Sequence, residues 1–192
     1  MKQFDYIIVG QGLAGTVLAF QLRRKGKSVF IIDKHRESTS SKIAPGAHNP
    51  MVLKRFTPCW KVEEQLEPLY QFIAAFEESF GDKIHTSLKL WRKFYSVQEQ
   101  NLWLEKSEKI RLSPFMNPSF IANPYKDIIA EFGFGEVTNA GRVQLSKMIS
   151  LLKERLEKEG CLLNEAFDYD ALEIGLSEVS YKTITAGKII FC

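Results

Sequence analysis

Apolar and polar positions at the start of the chain fall into blocks. Tyr6 to Val9 is an unbroken apolar run, Gly10-Gln11-Gly12-Leu13-Ala14-Gly15 follows it, and Val29 to Ile32 is a second apolar run closed by Asp33. Short apolar runs bounded by turn residues predict strands covered on both faces, as in a parallel sheet. Between them, residues 16–25 carry Val17, Leu18, Phe20 and Leu22. This predicts a helix packed on the sheet, with Phe20 partly turned away and Gly26 as the stop. The order is strand, glycine turn, helix, strand, acid.

Further patterns follow. From Lys61 on, Leu66, Leu69, Ile73, Phe76 and Phe80 recur at helical spacing before Gly81, which predicts a packing helix. Leu88, Leu90, Arg92 and Phe94 alternate with Lys89, Trp91, Lys93 and Tyr95, a strand pattern with aromatic residues on one face. Ser96 with Glu99 reads as a capping box opening a short helix through Trp103. Gly133-Phe134-Gly135-Glu136-Val137 leads to Gly141-Arg142-Val143, and residues 144–159 form an amphipathic helix on Leu145, Met148, Ile149, Leu152 and Leu156, closed by Gly160. Residues 161–167, 171–175, 179–185 and 188–192 are short β-prone runs with turns at Gly175 and Gly187, the last suited to a buried parallel strand. There is no internal repeat and no low-complexity segment.

After Asp33 no second crossover helix is visible. Residues 34–50 read instead as a long loop rich in hydroxyl, Gly and Pro residues, and loops of that length are usually functional or disordered. Ser40 and Ser41 can donate hydrogen bonds, and Pro45-Gly46-Ala47 offers a closely approachable backbone; a Ser-rich surface loop is the plain alternative.

The size of 192 residues fits one domain, and 45% apolar residues can fill its core. Net charge is +3, from 26 basic and 23 acidic residues mixed along the chain, which gives no support to nucleic-acid or membrane-surface binding. Cys59, Cys161 and Cys192 form no CxxC and no paired spacing, so neither a disulfide framework nor a metal site is expected and a reducing compartment suits the chain. The N-terminus lacks a basic leader followed by a small-residue cleavage site, and Tyr6 to Val9 is too short to span a bilayer, so a cytoplasmic protein is expected.

The chemistry lies in the glycine turn. Gly10 permits the tight exit from the first strand, Gly12 lets backbone approach a pyrophosphate, and Gly15 lets the helix lie close on the sheet. The helix start supplies unpaired N–H groups and a positive dipole end, an anion site without basic side chains. Asp33, eighteen positions past Gly15, falls at the tip of the second strand, where a carboxylate accepts hydrogen bonds from both hydroxyls of an adenosine ribose and repels a 2′-phosphate. Elsewhere the candidates are weaker. Arg92 or Tyr95 can meet a substrate carboxylate but reads more simply as a solvated strand residue; His48, the histidine nearest the loop after Asp33, is a catalytic candidate but reads more simply as a turn residue capping backbone; His35 and His85 sit among charges without a visible partner.

FDYIIVGQGLAG, IIDK and SSKIAPGAHNP together resemble the N-terminal half of the FAD-dependent oxidoreductases of the D-amino-acid oxidase and glycine oxidase family. The resemblance covers residues 4–50. It implies an α/β fold: a Rossmann-like FAD/NAD(P)-binding domain with a βαβ N-terminus, in residues 1–82 and 139–192, and an inserted, incomplete α+β substrate domain whose first part is residues 83–138. It places Gly10, Gly12, Leu13, Ala14 and Gly15 at the pyrophosphate, Asp33 and Lys34 at the ribose, and Ser40, Ser41, Gly46 and Ala47 along the phosphates and the flavin edge. Residues 167–169 fall near the adenine. Family members commonly carry Glu where this chain has Asp33. The implied cofactor is FAD and the implied reaction is oxidation of the C–N bond of a small-molecule amine or amino acid, with no catalytic residue assignable. The resemblance also implies that the sequence is the N-terminal portion of a longer protein, inactive as it stands. An NAD-dependent dehydrogenase and a non-catalytic dinucleotide-binding module are the alternatives.

Overall fold

The computed structural model describes residues 2–34 and 39–192; His35 lies outside them. In chain order the strands are Lys2–Val9 (β1), Val29–Ile32 (β2), Ala47–His48 (β3), Met51–Val52 (β4), Thr57–Pro58 (β5), His85–Lys93 (β6), Met116–Ile121 (β7), Phe134–Val143 (β8), Leu162–Leu163 (β9), Leu172–Ile174 (β10), Val179–Tyr181 (β11) and Ile184–Phe191 (β12). The helices are Leu13–Arg24 (α1), Ser40–Ile43 (α2), Val62–Phe80 (α3), Val97–Ser107 (α4) and Leu145–Lys158 (α5). They form two compact units, Met1–Pro45 with Gln144–Cys192, and Gly46–Val143.

The first unit is a six-stranded sheet in the order β10-β11-β12-β1-β2-β9. β1 runs parallel to both β12 and β2, and β2 parallel to β9, while β10 and β11 add an antiparallel edge. Every residue of β2 is buried, as a parallel strand demands. Side chains alternate across the sheet: Ile7, Phe30 and Ile32 join Val179, Tyr181, Ile184 and Ala186 on one face. Ile8 and Ile31 turn to the other, where α1 and α5 pack. Phe20 faces inward, with 3% of its surface exposed, contrary to its expected partial outward turn. Gly26, at φ +74°, ends α1 as expected. Gly175 lies in a turn, its N–H donating to Glu178 O, but Gly187 is not a turn: it sits inside β12, which runs unbroken along β1. The expected loop after Asp33 holds the four-residue helix α2 and the strand β3.

The second unit is built around β8, the central strand of β3-β8-β6, with β7 also pairing it. Its core gathers Met51, Phe56, Val62, Phe94, Trp103, Leu112, Phe115, Met116 and Val137. Ser96 Oγ accepts from Glu99 N–H at 3.2 Å, as the capping motif predicts, but the Glu99 carboxylate reaches the Tyr95 N–H at 2.9 Å. The compact units divide at Pro45/Gly46 and Val143/Gln144, whereas residues 1–82 and 139–192 were expected to belong together. Helix α3 stays with the second unit because Val62 and Leu66 enter its core and Glu77 accepts the backbone N–H groups of Ile84 and His85 at 2.8 and 3.0 Å.

Candidate dinucleotide site

Gly10 leaves β1 with φ +102°, and its N–H donates to Ile32 O at 2.8 Å. A Cβ here would lie 2.5 Å from Cys192 O, so both the conformation and the space call for glycine. At Gly15 a Cβ would lie 1.9 Å from Gly10 O. That glycine lets the first turn of α1 sit on the turn that precedes it. Gly12 is the N-cap of α1 and offers no side-chain cap.

The N–H groups of a first helical turn have no partner within their own helix. Here Leu13 N–H finds Ser41 Oγ at 3.0 Å, which brings the serine loop onto the glycine turn through α2. Leu13 and Ala14 are exposed, so the helix start opens to the surface. Asp33, partly buried at the end of β2, accepts the Gln11 N–H at 2.9 Å. Gly10, Gly12, Leu13, Ala14, Gly15, Asp33 and Ser41 are therefore assembled in one place. Lys34 follows, exposed, and Ser40 opens α2, also exposed. Gly46 and Ala47 belong to the second unit: Gly46 O accepts the Val143 N–H at 2.9 Å, and Ala47 pairs with Arg142.

Two contributors were invisible in the sequence. Gln11, 4% exposed, donates its side-chain amide to Ile149 O of α5 at 3.3 Å, so the turn is tied to both Asp33 and the returning helix. The backbone of Cys192 closes the far side of Gly10, its N–H donating to Val9 O at 2.9 Å. Near the expected adenine position, the Phe167 ring stacks on Tyr181, with centroids 4.7 Å apart, and Asp168 N–H donates to the Tyr181 hydroxyl at 3.1 Å.

The weaker candidates resolve differently. Arg92 is not a solvated residue: its guanidinium pairs with Glu99 at 3.1 Å, donates to Leu53 O at 3.3 Å and lies over the Phe56 and Tyr95 rings. Tyr95 is exposed. His48 caps no turn; it lies in β3, and His85 has a partner after all, since their Nε2 atoms are 3.0 Å apart. Among the described residues no group of three His, Cys, Asp or Glu is placed to hold a metal ion, and no helix is long and apolar enough to cross a membrane. Cys59, Cys161 and Cys192 are free thiols.

The parallel βαβ unit, its glycine turn and the acid at the tip of β2 define a Rossmann-like domain of the NAD(P)-binding type, here within a mixed α/β chain. The family described as "NAD(P)-binding Rossmann-like domain" matches residues 8–71. Iminodiacetate oxidase from Chelativorans sp. BNC1 superposes with a TM-score of 0.69 at 14% identity, over 97% of this chain and 54% of that one. L-amino acid deaminase from Proteus vulgaris gives 0.68 at 14%, over 99% and 53%. Glycine oxidase from Bacillus cereus ATCC 14579 gives 0.62 at 19%, over 97% and 55%. At these identities the likeness is one of fold, and the chain spans about half the length of the solved structures it matches.

Proposed function

We propose that the chain is the FAD-binding part of an oxidoreductase that oxidises the C–N bond of a small amine or amino acid. The observation that carries this reading is the turn of bare backbone at Gly10, Gly12 and Gly15, open at Leu13 and Ala14 and flanked by the Asp33 carboxylate. These residues fit an adenine dinucleotide. The first-turn amides of α1 would hold the pyrophosphate, and Ser41, whose hydroxyl already meets Leu13 N–H, would turn its own O–H to a phosphate oxygen. Asp33 would accept from the ribose, with Lys34 beside it. Ser40, Gly46 and Ala47 are the proposed continuation toward the ring. Bound there, the flavin would supply the hydride acceptor, while the chain binds and orients it.

FAD is favoured over NAD because, among the described residues, the chain after β2 forms only the four-residue helix α2 before it leaves for the second unit. The fold shared with an iminodiacetate oxidase, a glycine oxidase and an L-amino acid deaminase supports an amine or amino acid as substrate. The second unit is the proposed start of the substrate domain. That the protein has no nucleic-acid partner and is cytoplasmic remain our expectations.

The test is anaerobic mixing of the whole protein, loaded with FAD, with a panel of amino acids and secondary amines. The reading predicts substrate-dependent loss of the yellow flavin absorbance. Tight FAD binding with no bleaching by any amine would leave a non-catalytic module, and saturable NADH binding with no FAD retention would favour a dehydrogenase.

A further inference from the structure

His48 and His85 flank the central strand β8 on opposite sides. His48 in β3 pairs with Gly141, and His85 in β6 pairs with Val143, so both side chains stand on the face of the sheet that Gly141 leaves bare. Their rings lie nearly parallel, with centroids 5.3 Å apart, and their Nε2 atoms approach to 3.0 Å. A Cβ at Gly141 would come within 2.4 Å of one Nε2 and 2.6 Å of the other. The glycine is what lets the two rings meet across the strand.

Imidazole nitrogens this close must share one proton, because two lone pairs or two N–H groups would repel. In the neutral pair one ring donates and the other accepts. A first added proton preserves that arrangement; a second leaves two N–H groups opposed. A metal ion is a poorer occupant. It would need ligands beyond these two, and His48 Nδ1 is buried with no hydrogen-bond partner, whereas metal-bound imidazole commonly donates its second N–H.

We propose that His48 and His85 form a proton-operated clasp over Gly141 that holds edge strand β3 on the sheet and releases it when the pair takes up its second proton. β3 has only two residues, and among the described residues it is held, beside the clasp, by its short ladder to β8, the Val143 N–H bond to Gly46 O and the Tyr70 ring against His48. The surroundings do not favour a doubly charged pair. Tyr70 of α3 stands edge-on to both rings, at 5.9 and 5.8 Å, and its hydroxyl donates to Asn139 O. Glu77 of α3 meets the backbone N–H of His85, but its charge is shared with the Lys83 ammonium at 2.7 Å. Arg142, next along β8, points to the opposite face by strand alternation. Burial, and then the charge of His85, push His48 below the ordinary imidazole value of 6.5. The clasp therefore stays shut near neutrality and opens in acid, independently of the cofactor assignment.

Hydrogen exchange of the amides in residues 46–49 of the whole chain, corrected for intrinsic rate, tests this. Between pH 8 and pH 5 the clasp predicts a loss of protection of about tenfold or more in those amides alone. In His85→Phe they should exchange fast at both values. Protection independent of pH in the wild type, or a pH response surviving in His85→Phe, would overturn the proposal. If that variant does not fold, nitrogen NMR of the wild-type rings decides. The His48 ring is expected to take up its proton only below the ordinary imidazole value of 6.5, together with the loss of protection in residues 46–49, and a His48 ring that is protonated while those amides stay protected would refute the clasp.

Discussion

A methyl group at Gly15 would sit 1.9 Å from a backbone oxygen, and one at Gly12 would sit 3.1 Å from Ser41 Oγ. The first obstacle cannot move without the turn, whereas the second is a hydroxyl that rotates away. Gly15→Ala should therefore cost about 3 kcal/mol or more of stability, and Gly12→Ala about 1 kcal/mol or less, as read by urea unfolding. Comparable losses in the two would contradict this geometry. Asp33→Ala should weaken FAD binding by roughly 1–3 kcal/mol, the cost of leaving its partners unpaired, while Asp33→Asn keeps an oxygen for the Gln11 N–H and should lose less. Equal losses in a titration would show that the carboxylate charge, not its hydrogen bonds, matters. These residues were legible in the sequence because each stands at a spacing dictated by local backbone. Gln11 was not, because its partner Ile149 is 138 positions away, nor was His85, whose partner is 37 positions away.

At the scale of elements, helices ending in glycine were legible: α1, α3 and α5 are followed by Gly26, Gly81 and Gly160, all at positive φ. The central strand β8 was not. Gly135 and Gly141 interrupt its alternation, and both are glycine because something presses on the strand: Trp103 would lie 2.5 Å from a Cβ at Gly135, and the histidine pair covers Gly141. Glycine inside a strand marks close approach, which a reading by periodicity takes for a turn. The junction of α3 and β6 carries its own test. Burial pushes the Glu77 carboxyl up, but Lys83 and the N–H groups of Ile84 and His85 outweigh it and hold it below 4.5. Its folded value being depressed, it stabilises the fold above pH 4.5, and that stabilisation disappears as the pH falls through the folded value. Glu77→Gln should flatten the acid side of the stability profile measured by urea unfolding. An unchanged profile would show that the carboxylate has no such role.

For the molecule as a whole, the sequence of the second unit is inserted between the two segments of the first. Gly46 O and Val143 N are 2.9 Å apart, so the ends of the insert meet. Replacing residues 46–143 by a short Gly-Ser linker should leave a first unit that unfolds cooperatively when followed by circular dichroism; loss of the cooperative transition would show that it depends on its insert. The βαβ opening announced the first unit, while the boundary at Pro45 was hidden because the chain crosses it inside one loop without a change of composition. What matters most for function is whether the glycine turn takes an adenine dinucleotide. Calorimetric titration of the whole chain with FAD, beside Gly12→Val, measures this most directly. Saturable one-to-one binding that Gly12→Val abolishes while its unfolding transition persists is the predicted result, and FAD binding that is absent in the wild type, or equal in the two proteins, would contradict it.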